Sequence, residues 1–239
     1  MDAACPLKNQ HALVTGASRG IGLAIARRLG QMGARLSICG RNEKSLDEAR
    51  SQLQKEGIEA FAFPANVADA SQVSSLIDAA TAKFGGIEIL VNNAGIGRFG
   101  PVHQFNEADW DTVLDTNLKG VFLVSRAVMP GMISRGHGHI VNISSLAGKN
   151  SFAGGSIYCA SKWGLLGLTY SMAEDLRGYG IRVAAVCPGS VATEFSPHAN
   201  KDPRKMLQAE DVAHAVAMIL TEAPQSFISE VLLRPTQKP

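Results

Sequence analysis

The sequence predicts an α/β protein: a doubly wound parallel sheet of seven strands with helices on both faces. Three observations carry this. Short runs rich in β-branched and apolar residues alternate with longer amphipathic segments along the whole chain. Several of the short runs are apolar almost throughout, as in a parallel sheet covered on both faces. No Pro- or Ser-rich linker, repeat or low-complexity run divides the 239 residues, so the chain reads as one domain, 1–239.

The elements follow in order. Strands are predicted at 11–15, 35–39, 59–63, 88–92, 139–144, 182–187 and 230–234. Helices are predicted at 21–32, 43–56, 70–84, 107–134, 156–179 and 208–221. Right-handed crossovers place these helices on the two faces of the sheet. The most irregular segment, about 188–207, lies between the sixth strand and the last helix. Loops beyond strand carboxyl ends are where such sheets bind ligands, so a substrate lid is expected there.

Composition narrows the function classes. The chain is 46% hydrophobic and 18% charged, which suits a sizeable core rather than a disordered segment. A formal net charge of +2, evenly spread, points away from nucleic acid and anionic membranes as partners. Cys5, Cys39, Cys159 and Cys187 lack CxxC or metal-type spacing, which suggests free thiols in a reducing, cytoplasmic setting and no metal. No run is long and apolar enough to span a bilayer, and the first residues show no signal-peptide pattern.

"TGASRGIG", residues 15–22, follows the first strand and opens the first helix. Gly16, Gly20 and Gly22 permit a tight turn and a close approach to a pyrophosphate at the helix N-terminus, making this a Rossmann-type dinucleotide loop. Ser18, Arg19 and Ile21 are assigned to the same cofactor site. A carboxylate at the end of the second strand would hold the ribose 2′-hydroxyl of NAD. Here Gly40 stands in that place, followed by Arg41. Two arginines, Arg19 and Arg41, and no acid suit the 2′-phosphate of NADP(H).

"SIYCASK" sets Tyr158 four residues before Lys162. On a helix the two share a face one turn apart. An ammonium there stabilises a phenolate, and reduction of a carbonyl needs both a proton donor and a hydrogen-bond donor for the oxygen. Lowering a tyrosine by about three units takes about 4 kcal/mol. One lysine in high dielectric supplies about 1 kcal/mol at contact. The rest is expected from desolvation, a cofactor and further hydrogen bonds.

In order and spacing, "TGASRGIG", "NNAG" (92–95), "DTNLKG" around Asn117, "ISS" ending at Ser145, "YCASK" from Tyr158 and "PGSVAT" (188–193) resemble the motifs of the short-chain dehydrogenase/reductase family. The resemblance covers nearly the whole chain. It implies that Ser145 hydrogen-bonds the substrate oxygen, that Tyr158 moves the proton, and that Lys162 binds the nicotinamide ribose and favours the tyrosinate. It implies that Asn117 holds a water linking Lys162 to solvent. Asn93, Ala94 and Gly95 would lie on the adenosine side, and Pro188, Gly189, Val191 and Thr193 would lie near the nicotinamide. Asn66 and Val67 would form the adenine pocket, where the family often has aspartate before valine. Choosing Ser145 over Ser144 follows the family's spacing to the tyrosine.

The substrate implied is a small carbonyl compound or its alcohol, or an acyl thioester. The general look is that of 3-oxoacyl-acyl-carrier-protein reductases, yet the ending "FISEVLLRPTQKP" looks more like short-lidded 3-hydroxy acid dehydrogenases and carbonyl reductases. Carrier docking would use arginines whose places here are Gly136 and Tyr179, with Arg135 and Arg177 nearby. The lid cluster "KDPRK" (201–205) is a second candidate contact for an acidic carrier or a coenzyme A phosphate. Phe99, Phe152, Phe195 and Met206 are candidates for an apolar substrate wall. The long helices at 107–134 and 156–179 would pair in a homodimer, and the last strand would extend this to a homotetramer. A dinucleotide-binding sensor is the alternative from another class; the full Ser, Tyr and Lys set argues for the enzyme.

Overall fold

The computed structural model describes residues 5–195 and 202–237. Seven parallel strands form one sheet in the order β3-β2-β1-β4-β5-β6-β7. They are β1 (His11–Thr15), β2 (Arg35–Gly40), β3 (Ala60–Pro64), β4 (Ile89–Asn92), β5 (Gly138–Ile143), β6 (Ile181–Pro188) and β7 (Glu230–Leu233). The chain moves outward from β1 to β3, then returns to the other side of β1 at β4. That reversal opens a crevice beyond the carboxyl ends of β1 and β4, where such sheets bind ligands.

Alternation along the strands divides the core in two. Ala12 and Val14, Leu36 and Ile38, Ile89 and Val91, and Val141 and Ile143 pack on one face. There they meet helices α1 (Gly20–Gln31), α2 (Glu43–Lys55) and α7 (Ala209–Leu220). Leu13, Leu90, Ile140 and Val183 point the other way. They meet α3 (Ala70–Phe84), α5 (Gly120–Arg135) and α6 (Ser156–Arg177). Successive strand side chains alternate faces, so an apolar strand serves two cores at once.

The strands also bury polar groups, each with a partner. His11 contacts the Gly85 carbonyl through Nδ1 at 2.9 Å and the Ser37 hydroxyl through Nε2 at 2.8 Å. Asn92 Nδ2 donates to Ser125 Oγ and Asn142 Oδ1, and Asn142 Nδ2 donates to Thr169 Oγ1. This chain of amides crosses β4 and β5 and ties α5 to α6.

The predicted helix 107–134 is not continuous. α4 (Glu107–Leu114) passes into a π-helical turn, Asp115–Lys119, before α5 begins. Heptad-like periodicity cannot show this, because the widened turn follows from a long-range contact. Asn117 Oδ1 accepts from the Ile96 N–H at 2.8 Å, and its Nδ2 donates to the Ile96 carbonyl at 2.8 Å and to Ser161 Oγ at 3.0 Å. An added residue in the turn brings Asn117 to face inward, and π-turns cluster at functional sites. The other predicted boundaries move by no more than two residues.

Arg135 donates to the Ile87 carbonyl and packs over Gly86 at the entry to β4. One end of its guanidinium is thereby held by the fold. All four cysteines are unpaired, with Cys39, Cys159 and Cys187 buried. Among the described residues no helix is long and apolar enough to cross a membrane.

Candidate active site

A groove of about 1670 Å³ runs along the carboxyl ends of the strands. This exceeds the ~300–1,000 Å³ typical of small-ligand pockets, so it has room for a dinucleotide beside a second reactant. Every residue assigned to the cofactor in the sequence lines it: Gly16, Ser18, Arg19, Gly20, Ile21, Gly22, Arg41, Asn66, Val67, Asn93, Ala94, Gly95, Pro188, Gly189, Val191 and Thr193. Ser145, Tyr158 and Lys162 line it as well, whereas Asn117 lies beneath the wall and is fully buried.

The three loop glycines have different reasons to be glycine. A Cβ on Gly22 would stand 2.3 Å from the Gly16 carbonyl oxygen, and one on Gly16 would stand 2.7 Å from Ala94 Cα. Those two are required by the protein's own packing. Gly20 has a positive φ of 56°, and a Cβ there would meet only the Thr193 methyl at 3.5 Å. It is the glycine that leaves space on the groove side.

α1 opens at this loop without a side-chain cap and without an acid in its first turn. By contrast α2, α3 and α4 are capped by Asn42, Asp69 and Asn106. The first amides of a helix need acceptors, and here the groove is where one can come from. The backbone therefore fits a pyrophosphate. At the end of β2, a Cβ on Gly40 would meet Leu46 and Ser18 at 3.6 Å, ordinary contact, so a Cβ is tolerated there.

Several motif residues turn out to serve the scaffold. Asn93 Nδ2 donates to the Thr15 and Gly16 carbonyls at 3.0 Å, which holds the glycine loop against β4. Asn66 Oδ1 accepts from the Ala68 N–H at 3.2 Å, so the amide donor is what Asn66 turns outward. Arg19 forms an ion pair with Glu194 across the groove. Val191 makes a parallel bridge to Leu207, so the two ends of the predicted lid are tied at its base. Within "KDPRK", Lys201 lies outside the described residues, and Arg204 is paired with Asp202.

Extended backbone continues past β5, so Ser144 and Ser145 point in opposite directions. Ser144 donates to the Lys162 carbonyl at 3.4 Å. Ser145 Oγ accepts from the Ala147 N–H at 3.1 Å, donates to the Pro188 carbonyl at 3.4 Å, and stands near enough to the Tyr158 phenol to favour its ionised form. Lys162 is buried, donates to the Ile143 carbonyl at 2.9 Å, and has Nζ 5.8 Å from the centre of the Tyr158 ring.

The acid–base balance differs from the expectation that Lys162 draws Tyr158 down. Burial pushes the phenol up to about 12, against the opposing effect of Ser145. Burial pulls Lys162 down to about 8. Desolvation outweighs a charge whose own hydrogen bond is to the backbone. In the protein alone Tyr158 keeps its proton at neutral pH.

Residues that sequence reasoning did not single out fix this geometry. Ser161 accepts from Asn117 and donates to the Tyr158 carbonyl at 2.7 Å, so it joins the buried amide to the first turn of α6. Its place inside "YCASK" was the available signal. Lys149 donates to the Tyr170 hydroxyl at 2.7 Å and pairs with Glu230 at 2.8 Å, anchoring the turn after Ser145 to α6 and β7. These three lie far apart in sequence, and no spacing announces them. Of the candidate apolar wall, Phe99, Phe152 and Phe195 line the groove, but Met206 is 5% exposed and belongs to the core.

Residues 10–204 match the family model of the short chain dehydrogenases. The chain is 35% identical to an uncharacterized oxidoreductase of Staphylococcus epidermidis over 96% of this chain and 98% of that protein. It is 37% identical to a 3-oxoacyl-[acyl-carrier-protein] reductase of Staphylococcus aureus, over 92% of this chain and 94% of the other. Among solved structures, a metagenomic short-chain oxidoreductase in complex with NADP is 44% identical, with a TM-score of 0.87 over 98% of this chain and all of that one. An actinorhodin polyketide ketoreductase variant with NADPH is 33% identical, with a TM-score of 0.88 over 96% of each chain.

Proposed function

Because the chain belongs to the short-chain dehydrogenase family, we propose that it is an NADP(H)-dependent oxidoreductase that interconverts a ketone or aldehyde and its alcohol. The observation that carries this is the Ser145–Tyr158 hydroxyl pair over buried Lys162, at one end of a groove whose other end holds an uncapped helix and Arg41. When bound, NADPH supplies the hydride for the carbonyl carbon. Tyr158, protonated at neutral pH, gives its proton to the carbonyl oxygen. Ser145 holds that oxygen by hydrogen bonding while negative charge builds on it. Lys162 lies close enough to favour the phenolate that remains. Asn117 enters as a positioning residue through Ile96 and Ser161; the water role implied for it falls outside its two amide N–H groups, which are both in use.

The cofactor reading rests on the α1 amides, on Gly20, and on Arg41 with no carboxylate at Gly40. The relatives that hold NADP or NADPH support it. Residues 188–207 act as the substrate lid of a single domain, 1–239, in the cytoplasm. Exposed Trp110, Phe122, Trp163 and Tyr170 on α4, α5 and α6 support a homodimer through these helices, and exposed Leu232 on β7 supports its extension to a homotetramer. A 3-oxoacyl thioester is the second substrate reading, favoured by the 37% identical reductase. The commitment of Arg135 to Ile87 weakens its carrier-docking part. The test is NADPH oxidation against a panel of ketones, aldehydes and acetoacetyl-coenzyme A. Turnover of at least one carbonyl is expected; tight NADPH binding with no turnover across the panel would instead favour a sensor.

A further inference from the structure

Three phenylalanines from three separate segments converge on Tyr158. The Phe99 ring stands edge-on to Tyr158 with centroids 5.4 Å apart, and Phe195 lies 5.8 Å from it on another side. Phe152 extends the surface outward, 6.2 Å from Phe99. These rings are not core. Phe99, Phe152 and Phe195 are 38%, 49% and 44% exposed, whereas Tyr158 between them is 8% exposed.

The backbone is built to seat them. A Cβ on Gly97 would come within 2.6 Å of the Phe99 ring and 3.4 Å of Phe195. One on Gly155, just before α6, would come within 2.5 Å of the Phe152 ring. Two glycines thus let rings lie directly on main chain at the mouth of the site. Near this mouth Arg98 pairs with Asp109, and Glu194 with Arg19.

Resting on the oxidoreductase reading, we propose that Phe99, Phe152 and Phe195 select carbonyl compounds that carry an aromatic ring next to the carbonyl, in preference to carboxylated or thioester 3-oxo compounds. Aromatic rings prefer edge-to-face or offset contacts with centroids about 4.5–7 Å apart, the spacing these three rings and Tyr158 already keep. A flat aryl group inserted among them continues that pattern and brings its carbonyl toward the Tyr158 hydroxyl. A carboxylate in the same place would face the negative ring faces and lose part of its water.

The test compares kcat/KM for an aryl methyl ketone, a straight-chain ketone of equal carbon number, acetoacetate and acetoacetyl-coenzyme A, with NADPH as reductant. The aryl ketone should lead by about tenfold or more, the effect of two or three favourable ring contacts. Phe152→Ala and Phe195→Ala should each cut that lead by roughly threefold to tenfold with NADPH affinity unchanged. Phe152→Leu and Phe195→Leu keep apolar bulk and replace the alanine variants should those fail to fold by melting. They should also lower the aryl lead. A straight-chain ketone, acetoacetate or the thioester turned over as well as the aryl ketone would overturn this inference and leave the oxidoreductase reading standing. Variants that slow every substrate alike would overturn it too. NADPH binding without reduction of any compound would overturn the oxidoreductase reading and this one with it.

Discussion

Beneath the groove, Asn92, Asn117 and Asn142 are buried to 2% exposure or less and spend their amides on the protein itself. At its rim, Phe99, Phe152 and Phe195 are 38–49% exposed and Arg41 is open to solvent. The family resemblance implies a water-holding role for Asn117, and the three phenylalanines are candidates for a substrate wall. The structure commits the Asn117 amide to the protein and sets all three rings on the groove. A buried amide must be paired, so a polar residue in the floor is committed to holding the scaffold. An exposed apolar ring has no structural duty to fill, so the rim is where selectivity can vary without unfolding the chain.

The contrast can be broken hardest at the one residue where floor and rim meet. Tyr158→Phe keeps the ring packed between Phe99 and Phe195 and deletes the hydroxyl. NADPH oxidation should fall at least about a hundredfold, the usual contribution of a general acid, with NADPH affinity within about twofold of the parent. Full activity in steady-state assays would remove Tyr158 from the mechanism.

The next effect belongs to the floor. Asn142→Ala leaves the Asn92 amide and the Thr169 hydroxyl with one partner fewer each, at full burial. A loss of about 2–3 kcal/mol in urea unfolding is expected, with kcat nearly unchanged. A variant as stable as the parent would show that the amide chain does not hold the floor.

Arg41 sharpens the rim side. Arg41→Ala should raise KM for NADPH about tenfold and leave that for NADH unchanged, as for one charge-assisted contact. Gly40→Asp, whose Cβ makes only ordinary contacts there, should move preference the same way by placing a carboxylate at the end of β2. Equal effects on both cofactors would refute the assignment.

The smallest effect is a pH dependence set far from the groove. Burial, with Arg182 beside it, lowers His139 to about 4 from 6.5. Between those values the unfolded chain binds more protons than the folded one, so stability falls as pH drops through the window. About 1 kcal/mol should be lost between pH 6.5 and 5.5, and His139→Gln should flatten that slope without altering the activity profile. A slope unchanged in the variant would place the titration elsewhere, His11 being the other buried histidine lowered by burial.

Most of the fold was legible because its signals are local. The exchange of short apolar runs with longer amphipathic segments and the glycine loop after β1 act within a few positions of themselves. Ser145, Tyr158 and Lys162 were legible from order and spacing. What local pattern could not carry was any outcome set by contacts between distant segments. Asn117 meeting Ile96 widens a helix into a π turn. Burial raises the proton affinity of Tyr158 even with Lys162 one turn along α6. Phe99 and Phe195, almost a hundred residues apart in the chain, meet on one phenol with Phe152 behind Phe99, while Met206 goes to the core. Hydrophobicity and spacing prescribe which elements form, since both are properties of a short stretch. Desolvation and ring contacts depend on what the folded chain brings alongside, and so the chemistry of the site was decided there.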